Sequence, residues 1–159
     1  DTIAAFLAEP ITGASGVIVP PDGYYTRVQE LLRRYDIAFW ADEVICGFGR
    51  TGEWFGSETY GLEPDLMTMA KGMSCGYAPI GAAVATDKVF ETIMKKGSGS
   101  FVHGHTYAAN PLSCGIAAKV IEILERDRII AEPEPFERGE IGRTRSEQNA
   151  HPSPPKMRR

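Results

Sequence analysis

The sequence predicts an α/β fold, a mostly parallel sheet with one antiparallel strand and flanking helices. Three observations carry this. Four short apolar runs, Ile3 to Ala8, Ile37 to Ala41, Leu66 to Ala70 and Ile80 to Ala85, are bounded by Gly, Pro and charged residues, as strands buried on both faces are. Between the first two runs, Tyr24, Val28, Leu31 and Leu32 recur at helical spacing, which predicts a helix over Tyr24 to Arg34. Strand, helix and strand in that order make a right-handed parallel crossover. The fourth run follows the third through a Gly-rich turn so short that it must return antiparallel.

Taken in order, the first run closes at Glu9-Pro10, and ITGASGVIVPPDGYY is a loop by its Gly, Pro and Ser content. After the helix, the second run ends on Asp42, so Glu9 and Asp42 share the carboxyl rim of the sheet. GFGRTGEWFGSETYGLEPD is a further loop, with a short helical piece near Trp54 to Tyr60. Lys71 stands at the rim after the third run. Asp87 is expected to cap a helix running to Lys95. Gly97 to Tyr107 is a glycine-rich loop carrying His103 and His105. Asn110-Pro111 then opens a long helix whose apolar stripe is Ile116, Val120, Ile123 and Leu124.

Composition narrows the function classes. A length of 159 residues is enough for one domain with its own core. Hydrophobic content of 43% and charged content of 24% are ordinary for a soluble protein. A net charge of −4 with mixed signs points to neither nucleic acid nor a membrane surface as partner. No apolar run approaches the roughly 20 residues of a membrane span, and no secretory leader is expected. Cys46, Cys75 and Cys114 are odd in number and form no C-x-x-C pair, which suits reduced thiols in a cytoplasmic protein.

The chemistry gathers at Asp42 and Lys71. In an open parallel sheet, ligands bind outside the carboxyl ends of the strands. An acid and an amine delivered to neighbouring strand ends can face one small molecule from two sides. Pyridoxal phosphate requires that pair: a lysine for the Schiff base and an acid to hold the ring nitrogen protonated. Each residue also has a plainer reading. Lys71 alone could be a solvated lysine at a strand end, and Asp42 a helix cap or the ion-pair partner of Arg50. Val44, two residues beyond Asp42, is expected to point to the same face of the strand, either to buttress a ring or simply to pack. Thr106 could be a turn residue. His103 and His105 lack a third ligand, so no metal site is expected.

The strings AEPITGASGVIVPPDGYY, ADEVICGFGRTG, PDLMTMAKGMSCGYAPIGA and GHTYAANPLSCGIAA resemble the class III aminotransferases, of the type I pyridoxal-phosphate fold, from about Ile3 to Ile130. The resemblance implies that residues 1–130 are a fragment of the large domain. It implies that Lys71 is the Schiff-base lysine, Asp42 the partner of the pyridine nitrogen, and Val44 the residue packed on the ring. Thr106 would bind the cofactor phosphate across a homodimer interface. The partners implied are an amine and a keto acid such as pyruvate. Ile45 and Ala14 stand where other branches carry a glutamine and a glutamate, which resembles the amine– or β-alanine–pyruvate (ω-transaminase) branch. The alternatives are an aminomutase or lyase on the same scaffold, and an inactive fragment that lacks a complete site.

Beyond Ile130 the character changes. Residues 131–159 are dense in Pro, Arg and Glu, with almost no apolar periodicity, where the family would continue with a helix. A non-native tail, of frameshift type, or a disordered one is expected there. Reading the other frames of the coding DNA checks the frameshift: one should restore helical patterning after codon 130, and if neither does, that origin is rejected.

Overall fold

The computed structural model describes residues 2–130. The expected tail, 131–159, lies outside them. The elements are β1 (Ala5–Ala8), α1 (Tyr24–Arg34), β2 (Ala38–Asp42), α2 (Gly56–Tyr60) and β3 (Leu66–Met69). A 3-10 turn (Lys71–Ser74), β4 (Ala82–Ala85), α3 (Asp87–Lys96) and α4 (Pro111–Arg126) follow. The strands form one sheet in the order β1-β2-β3-β4. β1 pairs parallel to β2 with Ala5 opposite Ala38 and Ala8 opposite Ala41. β2 pairs parallel to β3 with Asp42 opposite Thr68. β4 returns antiparallel, Met69 opposite Ala82.

The expected elements are present, with shifted ends. β1 and β4 begin two residues later than their apolar runs, at Ala5 and Ala82, although Ala4 O still accepts from Ala38 N at 3.1 Å. Asp87 is the first residue of α3 rather than its cap. Thr86 occupies the cap position with extended backbone, and no side chain closes the helix start. Asn110 does cap α4, its Oδ1 accepting from the Leu112 and Ser113 amides at 3.1 and 3.2 Å, with Pro111 in the first turn. The buried stripe of α4 is Ala117, Val120 and Leu124. Val120 and Leu124 are buried as expected, while Ile116 and Ile123 are only half-buried and Ala117 takes the buried place beside Ile116.

α1 lies against one face of the sheet. Tyr25 and Leu32 from the helix meet Phe39 of β2 and Leu62 to form the core, with Phe6, Ala8, Val28, Ile37 and Tyr60 packed around them. The rings of Tyr25 and Phe39 stack at 6.3 Å, and Phe6 and Tyr60 flank them at 5.9 and 5.7 Å. Gln29 is buried in the same helix. Its amide donates to Gly61 O at 3.2 Å and accepts from Glu63 N at 2.8 Å, so the segment carrying Leu62 is clamped onto α1. Both halves of that amide are satisfied, which is what a buried polar group needs.

Phe39 is the hub, touched by helix, strand and aromatic neighbours. Phe39→Ala is expected to destabilise the protein by about 3–5 kcal/mol through the cavity it leaves. Leu31→Ala, at a position of α1 that is 52% exposed, should change stability by only roughly 0.5 kcal/mol. Urea unfolding of the two variants checks the contrast.

Candidate active site

Because β1, β2 and β3 run parallel, their carboxyl ends open on one edge. Along β2 the side chains alternate: Phe39 and Ala41 are buried toward α1, while Ala38, Trp40 and Asp42 are half-buried on the other face. Asp42 and Thr68 are register partners, and Trp40 Nε1 donates to Thr68 Oγ1 at 3.3 Å on that same face. Asp42 Oδ1 accepts from the Val44 amide at 3.0 Å. Among the described residues no cation pairs with its carboxylate. Arg50 is exposed and makes no ion pair with it, and the residues after Asp42 form turns rather than a helix, so neither plainer reading of Asp42 holds.

Val44 needs a correction. The strand ends at Asp42 and Val44 lies in the turn beyond, so strand alternation does not determine its direction. It remains half-buried and tied to Asp42 through the amide contact.

Lys71 follows Thr68 by three residues and opens the 3-10 turn, which closes with Met73 N donating to Ala70 O at 2.9 Å and Cys75 N to Gly72 O at 3.1 Å. Its φ is 38°, in the left-handed region that favours glycine. A side-chain-bearing residue held there costs on the order of 1–3 kcal/mol, and such strain gathers at functional sites. The sequence expects the amine in a crowded setting, whereas Lys71 is exposed. Its glycine neighbour has a specific use. A Cβ on Gly72 would stand 3.0 Å from Phe48 Cβ and 3.3 Å from Gly47 O. The lysine turn therefore packs against the loop that leaves Asp42.

β1 ends on the same rim. Glu9 Oε2 accepts from the Gly13 amide at 2.9 Å, and Tyr25 Oη donates to Glu9 O at 2.6 Å. A Cβ on Gly13 would meet Ile45 Cδ1 at 2.6 Å, so this loop lies against the one after β2. A groove of about 520 Å3 runs past Leu7, Glu9, Thr12, Ile18 and Asp42. Cys46 is buried with its thiol between the Ile11 amide and carbonyl, and burial pushes that thiol up from its ordinary value.

Thr106 sits in an exposed turn of the loop before α4, where no hydrogen bond joins it to Asp42, Val44 or Lys71. His103 and His105 stack edge to face at 4.8 Å. Among the described residues no group of three His, Cys, Asp or Glu side chains could hold a metal ion.

One rim residue was missed in the sequence. Glu43 is fully buried, its carboxylate accepting from the amides of Gly56 and Ser57 and from Ser57 Oγ. No local pattern marks it, because the strand ends at Asp42 and the burial of Glu43 is set by its donors at Gly56 and Ser57.

The family model described as Aminotransferase class-III matches residues 1–140. A putrescine–pyruvate aminotransferase of Pseudomonas aeruginosa is 54% identical over 130 residues, 82% of this chain and 28% of that protein. Gamma aminobutyrate transaminase 3, chloroplastic, of Solanum lycopersicum is 49% identical over 82% of this chain and 25% of its own length. Among solved structures, the omega transaminase of Pseudomonas jessenii in complex with PMP superposes with a TM-score of 0.78 at 45% identity, covering 81% of this chain and 29% of that one. An (S)-enantioselective omega-transaminase of Thermomicrobium roseum gives 0.77 at 46% identity over the same shares. The chain thus spans less than a third of the length of each.

The support of the rim at Glu9 has a consequence in alkali. Burial, first of all, raises the Tyr25 hydroxyl above its ordinary value of 10.0, with Tyr24, Cys46, Tyr60 and Glu43 adding to the rise. The folded protein therefore keeps a proton that the unfolded chain gives up. The associated stability is complete below that ordinary value and is lost as pH climbs above it. Tyr25→Phe should flatten the fall in unfolding free energy above about pH 10, measured by urea unfolding at stepped pH.

Proposed function

The chain belongs to the class-III aminotransferases, and from that premise we propose that the full-length protein transfers an amino group from an amine or ω-amino acid to a keto acid such as pyruvate, with pyridoxal phosphate as cofactor and Lys71 as its point of covalent attachment. The observation that carries the reading is Asp42: a half-buried carboxylate, without a cation among the described residues, on the strand beside the one that leads to Lys71. A carboxylate so placed calls for a positive partner, and a protonated pyridine nitrogen is one. The residues present therefore fit the group.

Bound there, pyridoxal phosphate would supply an aldehyde carbon able to take up the donor's amino group and a ring able to hold electrons during the exchange. Asp42 would keep the ring nitrogen protonated and set the orientation of the ring. The bond that Asp42 Oδ1 accepts from the Val44 amide would help to hold the carboxylate in place, and Val44 would pack on the ring surface. Lys71, at the rim of the adjacent strand, would hold the cofactor covalently and, once released, carry a proton to and from the reacting carbon. Thr106 would donate its hydroxyl to the cofactor phosphate of a second subunit, which makes the active protein a homodimer.

The putrescine–pyruvate and gamma aminobutyrate relatives support pyruvate as acceptor and an amine or ω-amino acid as donor, and the PMP held by the P. jessenii relative supports the cofactor, PMP being its aminated form. Residues 1–130 would belong to the cofactor-binding part. No described helix is long and apolar enough to cross a membrane, and three free thiols suit the reducing cytoplasm.

The full-length protein incubated with pyridoxal phosphate and reduced with borohydride should carry the label on the peptide containing Lys71, and Lys71→Ala should abolish both label and amino transfer to pyruvate. A Lys71→Ala protein that still forms the reducible adduct and still transfers would reject the assignment.

A further inference from the structure

We infer that Glu43 is a positioning residue of this site: it anchors the end of β2 to α2 and thereby holds Asp42, Val44 and the Lys71 turn in register for the cofactor. The inference rests on the roles of Asp42 and Lys71 proposed above.

Glu43 has 0% of its surface exposed, beside a half-buried Asp42. Glutamate is almost never buried so completely unless paired, and among the described residues no cation faces it. Three donors do. Ser57 N and Ser57 Oγ each reach Oε1 at 2.6 Å, and Gly56 N reaches Oε2 at 3.0 Å. An ionised carboxylate only accepts, and amides in the first turn of a helix have no partner within it, so the match is complementary. Nor is there slack in this corner: a Cβ on Gly56 would stand 2.8 Å from Pro10 Cβ and 2.9 Å from Cys46 Cβ.

The main chain of Glu43 extends the same control. Its amide donates to Thr68 O at 2.8 Å, tying the end of β2 to β3 three residues before Lys71, and its carbonyl accepts from Gly47 N at 2.9 Å. The loop from Val44 to Phe55 is thus held near its start by the carbonyl and just past its end by the carboxylate of one residue. Phe48, within that loop, bears on Gly72 beside Lys71. The Glu43 carboxylate is spent on Gly56 and Ser57 while Asp42 bonds the Val44 amide, so Glu43 acts only through these supports.

The test uses full-length protein and pyridoxal phosphate. Glu43→Gln sets an amide N–H2 against the Gly56 and Ser57 donors. The dissociation constant for the cofactor should rise about tenfold or more, the usual scale for removing the support behind a binding group, and the absorption maximum of bound cofactor should shift. Ser57→Ala, which removes one of the three bonds, should give a smaller rise in the same direction. Leu32→Ala, in the core away from the rim, should lower the melting temperature with cofactor affinity unchanged. The inference is overturned if Glu43→Gln and Ser57→Ala lower only the melting temperature and leave affinity and spectrum as in the parent. If Glu43→Gln does not fold, unchanged affinity in Ser57→Ala overturns it. Borohydride labelling separates the two levels: an unlabelled Lys71 in the parent rejects the proposed function, whereas a labelled Lys71 with unmoved affinities rejects the role of Glu43 alone.

Discussion

Parallel pairing of β1, β2 and β3 is the constraint on which the other features depend. Strands that run the same way must deliver their carboxyl ends to the same edge, and the residues that follow them then compete for one small volume. Glu9, Asp42 and the Lys71 turn meet there for that reason alone. Had β3 run antiparallel to β2, as β4 does to β3, Lys71 would stand at the far edge of the sheet. The ladder continues one step past the last strand residue, through the Glu43 amide to Thr68 O, so the pairing that builds the sheet also spaces the acid and the amine.

Above the rim the loops are fitted to one another by glycines and buried polar groups rather than by a second apolar core. Gly13 lies on Ile45, Gly56 under Pro10 and Cys46, and Gly72 on Phe48, at separations where an added methyl group would force its neighbour to shift. Ser74 is buried with its hydroxyl on Ala78 O at 2.6 Å, and the Glu43 carboxylate is spanned by three donors. Such networks rigidify when every member is satisfied, and no buried side-chain polar atom among the described residues is left without a partner. Asp42 differs from its neighbour Glu43 in kind: one carboxylate is consumed by the protein, the other is left with one amide contact and room to act.

The division of labour between the two faces of β2 explains how adjacent acids come to differ. Phe39 and Ala41 face α1, where the aromatic cluster expels water. Trp40 and Asp42 face away, where Thr68 is the polar neighbour. Asp42 can therefore be half-buried without being drawn into the core. Glu43, just past the end of the strand, is enclosed completely by its bonds to Gly56 and Ser57.

Much of this was determined by the chain itself. The apolar runs and the helical spacing of Tyr24, Val28, Leu31 and Leu32 identify the strands and α1, because periodicity reports which side of an element meets water. The motifs around Asp42 and Lys71 identify the family. Other features were decided only by tertiary contacts. Local pattern does not say that β2 stops at Asp42 and leaves Val44 in a turn. It does not say that Lys71 takes a left-handed backbone and stays exposed, or that α4 seats Ala117 rather than Ile116 in its seam. Glu43 is the clearest case: two acids in sequence look alike, and which is buried depends on donors at Gly56 and Ser57, thirteen and fourteen residues away. Periodicity encodes the water-facing side of each element, whereas the partner of a buried polar group is encoded only in how separate segments meet.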